Sequence, residues 1–242
     1  TECRRFFDFG GRSRGGILCR SGRKEIWLME RKAIKIRSQM DPGVQLRMIP
    51  GHFATPQSHI TNYMDITTLK TRCTEAKSLA AILAKRYEIT TPVDTIVCLD
   101  GTEVIGTYLA EELTKSGILS YNAHRTLYVV SPEHSMAGAG QIIFRDNLQR
   151  TIRNKHILVL TGSVTTGHTL DTSLGCIRYY DGIISGVSAI FSAISVVGGV
   201  EISAAFHASD VSYQSYKPSE CPLCRDKVPL DALVNSFGYS KL

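Results

Sequence analysis

Apolar positions along the chain fall into two alternating kinds of run. The first kind is short and continuous: Asp94-Thr-Ile-Val-Cys-Leu99, Thr126 to Val130, Gln141 to Phe144, Ile157 to Leu160 and the stretch within Ile183 to Ile194. Such runs, rich in β-branched residues, predict strands buried on both faces. The second kind recurs at helical spacing. Ala76, Leu79, Ala80, Leu83 and Tyr87 predict a helix over Cys73 to Glu88, with Thr71 or Thr74 available as its cap, and further helices fit Glu103 to Ser116 and roughly Thr169 to Tyr180. Strands alternating with helices predict an α/β fold with a mostly parallel sheet flanked by helices, because parallel neighbours need crossover connections. In such sheets ligands bind in loops beyond the strand C-termini, which directs attention to the loops at Asp100 and at Thr161 to Thr166.

Two further stretches complete the pattern. Pro42-Gly43 and Pro50-Gly51 predict turns around the apolar piece Val44 to Ile49. Gly182 to Val200 runs nineteen residues without a charge, close to the ~20 that span a bilayer. Eight of those nineteen are Gly or Ser and the apolar ones are β-branched, which predicts a buried strand and its neighbour instead.

With 242 residues, 43% hydrophobic and 21% charged, the chain has enough apolar material for one large domain, or one domain plus an extension, and disorder throughout is excluded. The net charge of +6 invites a nucleic-acid reading until its distribution is examined. Residues 1–37 hold eleven basic and four acidic side chains, so the remaining 17 basic and 18 acidic residues leave 38–242 at −1. This divides the chain into a basic, Arg/Gly-rich head over 1–37 and a domain over 38–242. Arg4 to Lys24 has five Gly among dispersed Arg and no period, which predicts disorder in the free chain. A solvated tail, or a leader lying outside the working domain, is preferred there to a segment that contacts RNA. Met29 and Met40 are both candidate starts, leaving it open whether residues 1–28 belong to the native protein.

The seven cysteines are an odd number scattered through apolar stretches. No Asn-x-Ser/Thr acceptor occurs and no apolar leader is seen, so a reducing, cytoplasmic setting and no membrane are predicted.

The most specific chemistry lies in His156-Ile-Leu-Val-Leu-Thr-Gly-Ser-Val-Thr-Thr-Gly-His-Thr169. A buried strand opens into small hydroxyl residues and Gly before a helix begins. Gly167 would let the backbone approach an anion, helix N–H groups point outward, and Thr165, Thr166 and Thr169 can donate hydroxyls, with His168 placed to meet the same anion; together they form a phosphate cradle.

Val164-Thr-Thr-Gly-His-Thr169 after an apolar strand resembles the phosphoribosyl-pyrophosphate (PRPP) motif of type I phosphoribosyltransferases, in which this loop holds the sugar 5′-phosphate. Thr95-Ile-Val-Cys-Leu-Asp-Gly-Thr102 followed by a helix resembles the pyrophosphate loop of that family, assigning Asp100, Gly101 and Thr102 to it. Gly51-His-Phe-Ala-Thr-Pro-Gln-Ser58 with Tyr63 and Asp65 resembles the substrate hood of orotate phosphoribosyltransferases, assigning His52, Phe53 and Tyr63 to the base. Cys221-Pro-Leu-Cys224 followed by Pro229-Leu230 resembles the C-terminal end of some members. The likeness covers about Met40 to Leu242. It implies a parallel sheet with a small N-terminal hood (about 41–70), Mg²⁺ arriving with PRPP, a homodimer, and transfer of phosphoribose to a nitrogen base such as orotate in nucleotide synthesis or salvage.

Departures from the pattern matter equally. The family motif carries two adjacent acids that bind the ribose hydroxyls and favour the cationic transition state, and here those places hold Thr161 and Gly162. The mobile loop that carries Lys and His in orotate enzymes corresponds to Ser131 to Gly140, with His134 and no Lys or Arg. Each lost electrostatic stabiliser typically costs about 10²- to 10³-fold in rate. A catalytically lapsed PRPP- or nucleotide-binding regulatory protein is therefore the alternative, and no catalytic residue is assigned.

Other candidates are weaker. Cys221-x-x-Cys224 has metal-ligand spacing, but structural zinc takes about four ligands and no second pair is expected within the chain, so no metal site is assigned. A site shared across a dimer, a redox pair and a turn of two reduced thiols stay open, the last preferred. His52 and His59 fit either a substrate pocket or a solvated loop. Asp100 and Glu103 are the acids at the presumed active loop, while Glu111 and Glu112 fit a solvated helix face. No Ser-His-Asp order, nucleotide P-loop or Gly-x-Gly-x-x-Gly occurs, so hydrolase and dinucleotide readings are set aside.

Overall fold

Ile34-Lys-Ile-Arg37 alternates with period two and forms β1 (Ile34–Arg37), antiparallel to β2 (Gln45–Ala54), which pairs on its other side with β3 (His59–Asp65). These belong to a computed structural model that describes residues 32–115, 121–123, 125–135, 141–235 and 238–242. The chain divides into two units, Thr1–Lys32 and Ala33–Leu242, and every element described belongs to the second. Residues 34–37, counted with the head by charge, are thus a strand, and Ile36 packs on the core. Arg4 to Lys24, with its predicted disorder, lies outside the described residues, as does Met136 to Gly140 of the lysine-free loop.

The turn expected at Pro50-Gly51 does not form. β2 runs through it, and the pairing with β3 shifts between Pro50 and Phe53. Pro offers no N–H to a ladder, so within a sheet it sits at an edge or a bulge, and here the irregularity absorbs it.

After helices α1 (Thr67–Thr71) and α2 (Cys73–Ala84), the central sheet begins with β4 (Thr95–Cys98), followed by helix α3 (Glu103–Lys115) and β5 (Tyr128–Val130). A two-residue ladder, β6 (Glu133–His134) with β7 (Ile142–Ile143), and the short helix α4 (Asp146–Gln149) lead into β8 (His156–Val164). Helix α5 (His168–Tyr179) then connects to β9 (Ile183–Ser192), β10 (Val196–Val197) and β11 (Val200–His207). The strand order is β10-β11-β9-β8-β4-β5, parallel throughout except for β10 at one edge. The fold is therefore α/β, a mostly parallel sheet with flanking helices.

The continuous apolar runs are explained by burial on both faces. Ile96, Leu158, Leu160 and Ile190 meet Leu79, Leu83, Ile105 and Leu109 of α2 and α3, while their neighbours Val97, Val159, Val187 and Ala189 meet Leu170, Leu174 and Ile177 of α5. The uncharged stretch from Gly182 to Val200 holds β9, β10 and the turn that leads to β11, and no helix among the described residues is long and apolar enough to cross a membrane.

Three boundaries differ from expectation. α2 ends at Ala84, and Tyr87 turns inward from the following turns to donate its hydroxyl to the Val187 carbonyl at 3.0 Å. Neither Thr71 nor Thr74 caps α2. Arg72 occupies the cap without a side-chain hydrogen bond, and its guanidinium pairs with Glu75 of the first turn at 2.9 Å, where an acid also suits the helix dipole. β8 continues past Leu160 to Val164, because Thr161, Ser163 and Val164 remain paired with Ala189, Phe191 and Ser192 of β9. The loop therefore starts at Thr165.

The chain from Ser215 onward returns to the hood. β12 (Ser215–Tyr216) adds to β3, helix α6 (Pro222–Arg225) follows, and β13 (Ala232–Asn235) lies parallel to the C-terminal end of β2 with β14 (Gly238–Lys241) outside it. Six strands from both ends of the chain thus make the hood sheet.

At the opposite end of the central sheet, Asp94 joins the starts of β4 and β8. Its carboxylate accepts hydrogen bonds from the His156 backbone N–H and ring Nδ1, both at 2.9 Å. Burial pushes the Asp94 carboxyl up, but the two His156 hydrogen bonds, with the charges of His156 and Lys155, outweigh it and hold the group below its ordinary value. A depressed carboxyl adds stability above the unfolded value of about 3.9 that is lost as pH falls through the folded one. Asp94→Asn is expected to lower the Tm at pH 7 and to flatten its decline below about pH 4. Melting curves across that range check it, and parallel Tm profiles for the two proteins would refute it.

Candidate active site

Between the C-terminal ends of β4 and β8 and the hood lies a cavity of about 490 Å³. Its floor is Leu99, Asp100, Thr161, Ser163 and Val164, one wall is Thr165 to Leu170, and the roof includes Asn62 and Tyr63 from β3 with Val234, Asn235 and Gly238 from the C-terminal strands.

The wall at Thr165 to Thr169 brings all five residues of the predicted cradle to the cavity. Gly167 caps α5 with φ of 79° and no side-chain cap hydrogen bond, so the first N–H groups of this twelve-residue helix have no side-chain acceptor from the cap, and the helix's first residues line the cavity. A Cβ on Gly167 would meet Ile194 Cδ1 at 2.7 Å and Val197 Cγ2 at 3.1 Å, so glycine serves the positive φ and the packing against the turn after β9.

The pyrophosphate-loop residues separate. Asp100, at φ of 56°, and Gly101, at 74°, reverse the chain after β4. Asp100 lines the cavity, and its Oδ2 accepts from the Thr161 hydroxyl at 2.6 Å and the Gly162 N–H at 3.2 Å. Thr102 turns the other way, fully buried, with its hydroxyl directed at the Leu99 and Leu160 carbonyls at 2.8 and 3.1 Å, and thereby ties the ends of β4 and β8. Gly101 and Thr102 do not line the cavity. Glu103, the other acid considered, accepts from the Ser131 hydroxyl at 2.6 Å and is likewise outside it.

Of the three base-hood candidates only Tyr63 reaches the cavity. Burial, with the nearby Asp65 and Tyr239, pushes its phenol up to about 12, so it is a neutral hydrogen-bonding group at neutral pH. Phe53 is wholly buried behind it, ring centroids 5.9 Å apart. His52 points away, because the bulge in β2 turns it toward the segment after β12. Its Nδ1 donates to the Val228 carbonyl at 2.9 Å, and its backbone N–H donates to Asp231 Oδ2 at 2.7 Å.

There His52 meets His59, Cys221 and Cys224. The second ligand pair that the sequence lacked near the cysteines is these two histidines, brought from the β2–β3 hairpin 162 or more residues earlier. Both thiols are free. Burial and the neighbouring His52 hold the His59 imidazole below its usual range, while desolvation and then the adjacent Cys221 push the Cys224 thiol up.

Sequence reasoning missed Lys70. It lines the cavity from α1 and donates from Nζ to the Asp100 carbonyl at 2.7 Å, which places a cation beside the floor although the loop at Ser131 to Gly140 has none. Its position at the end of an amphipathic turn carries no sequence mark. His134 and Ser135 do line the cavity from that loop.

Fold and site together define an α/β protein whose strand ends, helix N-terminus and separate hood enclose one polar-floored cavity. No family model and no curated protein matches the sequence. Among solved structures it is similar to Leishmania donovani UMP synthase (13% identity, TM-score 0.49, covering 67% of this chain and 34% of that one). It is also similar to Mycobacterium tuberculosis H37Rv orotate phosphoribosyltransferase in complex with Fe(III) dicitrate (12%, 0.46, 77% and 96%) and to Leishmania donovani adenine phosphoribosyltransferase (13%, 0.47, 77% and 81%). The chain thus spans about a third of the UMP synthase chain. At these identities and TM-scores, the functional reading rests on this chain's own residues.

Proposed function

We propose that the protein transfers phosphoribose from PRPP to a nitrogen base of the orotate kind, releasing pyrophosphate. The observation that supports this most directly is the Asp100 carboxylate, which reaches the cavity floor at the two positions, Thr161 and Gly162, where the resembling family places its acids. A carboxylate lost from β8 is in this way supplied from the loop after β4. Beside a ribose whose anomeric carbon gains positive charge as pyrophosphate departs, a preorganised negative group stabilises the transition state more than the ground state.

Thr165, Thr166, His168 and Thr169, with the helix N–H groups, would hold the 5′-phosphate through backbone and hydroxyl donors. Lys70 supplies positive charge on the pyrophosphate side, and Tyr63 with Asn62 faces the base from the hood. The residues also fit Mg²⁺. Asp100 is the single carboxylate among the described residues that line the cavity, and Mg²⁺ is commonly held by one or two carboxylates together with water and substrate phosphates. Bound there, the ion would neutralise charge on the pyrophosphate. The working form on this reading is a cytoplasmic homodimer.

The test is direct. Purified full-length chain with PRPP, Mg²⁺ and orotate is expected to form nucleotide and pyrophosphate in equal amounts. PRPP binding by calorimetry with no product from orotate or any other base would overturn it in favour of the lapsed, nucleotide-binding alternative.

A further inference from the structure

Outside the cavity, four side chains converge that the phosphoribosyl reading does not use. His52 Nε2 lies 3.2 Å from His59 Nδ1, 3.5 Å from Cys221 Sγ and 3.6 Å from Cys224 Sγ, and Cys224 Sγ lies 3.1 Å from His59 Nδ1. All four ligand atoms fall within 4.8 Å of one another. With Zn–N near 2.0 Å and Zn–S near 2.3 Å, a tetrahedral His₂Cys₂ site has edges of about 3.3 Å between nitrogens, about 3.6 Å from nitrogen to sulfur and about 3.8 Å between sulfurs. The four separations given lie within about half an ångström of those edges, and the other two, Cys221 to Cys224 and Cys221 to His59, are no longer than 4.8 Å.

We propose that His52, His59, Cys221 and Cys224 bind one Zn²⁺ as a closed structural site. The donor set is the one that tetrahedral zinc prefers. His52 is oriented for it: donation of Nδ1–H to the Val228 carbonyl leaves Nε2 free to ligate and aimed at the cluster, the arrangement typical of metal-bound histidine. The His52 backbone is fixed on both sides, accepting from the Asp231 N–H at 2.7 Å and donating to its carboxylate at the same distance. A Cys-x-x-Cys pair at the cap and within the short α6 and a His-x₆-His pair across the β2–β3 hairpin are two chelating arms, each short in sequence, that only the fold unites.

Four protein ligands leave no open position, so the zinc would hold structure and not activate water. It would fasten α6, and with it β13 and β14, against β2. Val234, Asn235 and Gly238 of that segment form part of the cavity roof, so metal binding would fix the roof. This inference stands independently of the reaction assigned to the cavity.

Elemental analysis of the full-length protein, purified without chelator under reducing conditions, is expected to give about one zinc per chain, and Cys224→Ser, at an exposed ligand, to leave less than about a tenth. Reconstitution with Co²⁺ in place of zinc is expected to give the visible absorption of a tetrahedral ion together with thiolate charge transfer, weakened in Cys224→Ser. Because this readout is taken on the native sequence, a variant that fails to fold does not blunt the test. A native protein that takes up neither Zn²⁺ nor Co²⁺ at equimolar addition with both thiols reduced would overturn the proposal, as would full zinc occupancy in folded Cys224→Ser.

Discussion

Asp100→Asn is expected to lower kcat/KM for phosphoribosyl transfer by about 10²- to 10³-fold, or about 2.7–4 kcal/mol of transition-state stabilisation, with the fold intact. The substitution isolates charge from shape. Asp100 sits at φ of 56°, a conformation that most L residues resist but that Asn tolerates, so the backbone reversal after β4 survives. The amide oxygen can still accept from the Thr161 hydroxyl and the Gly162 N–H, and the Asp100 carbonyl that Lys70 holds is unchanged. What disappears is the single carboxylate among the described residues that line the cavity. Steady-state kinetics beside a melting curve make the measurement. A kcat/KM within about threefold of the native value would remove Asp100 from the reaction.

Asp100 also shows what could be read along the chain. The runs at Asp94 to Leu99 and Ile157 to Leu160 announced buried parallel strands, and the helices starting near Cys73, Glu103 and Thr169 followed from periodicity, because burial of a face is written locally into each segment. That Thr165 to Thr169 would stand together at a strand-to-helix turn was legible for the same reason, being one contiguous segment. The contact between Asp100 and Thr161 was not, since it joins residues 61 apart through the pairing of β4 with β8. The hood is harder still. Its strands come from both ends of the chain, β2 passes through a Pro-Gly pair that normally ends a strand, and the register shift there decides that His52 faces Cys221 instead of the cavity. Spacing along the sequence separates Cys221 from His52 by 169 residues. The pairing of β12 with β3 and of β13 with β2, with the His52 hydrogen bonds to Val228 and Asp231, brings them together.

Placing acids at Thr161 and Gly162, as the resembling family has them, is expected to reduce transfer and not restore it. A Cβ on Gly162 would stand 2.8 Å from Ile66 Cδ1 and 3.3 Å from Asp100 Cβ, with Asp100 Oδ2 at 3.7 Å, so an aspartate there forces Ile66 aside and sets a second carboxylate against the first. Two carboxylates sharing one site cannot both ionise freely, and one of the pair takes up a proton. Thr161→Asp removes in addition the hydroxyl that holds Asp100 Oδ2 at 2.6 Å. Either change is expected to lower kcat/KM by at least about tenfold, the order set by loss of one electrostatic group. The pairing gives a sharper outcome than either variant alone. If Asp100 has taken over the role of the missing acids, Gly162→Asp harms the native protein but recovers activity in the Asp100→Asn background, where it no longer faces a like charge; such non-additivity marks two residues acting at one place. An increase in transfer by Gly162→Asp with Asp100 intact would mean that the site still lacks its acid and that Asp100 only ties β4 to β8.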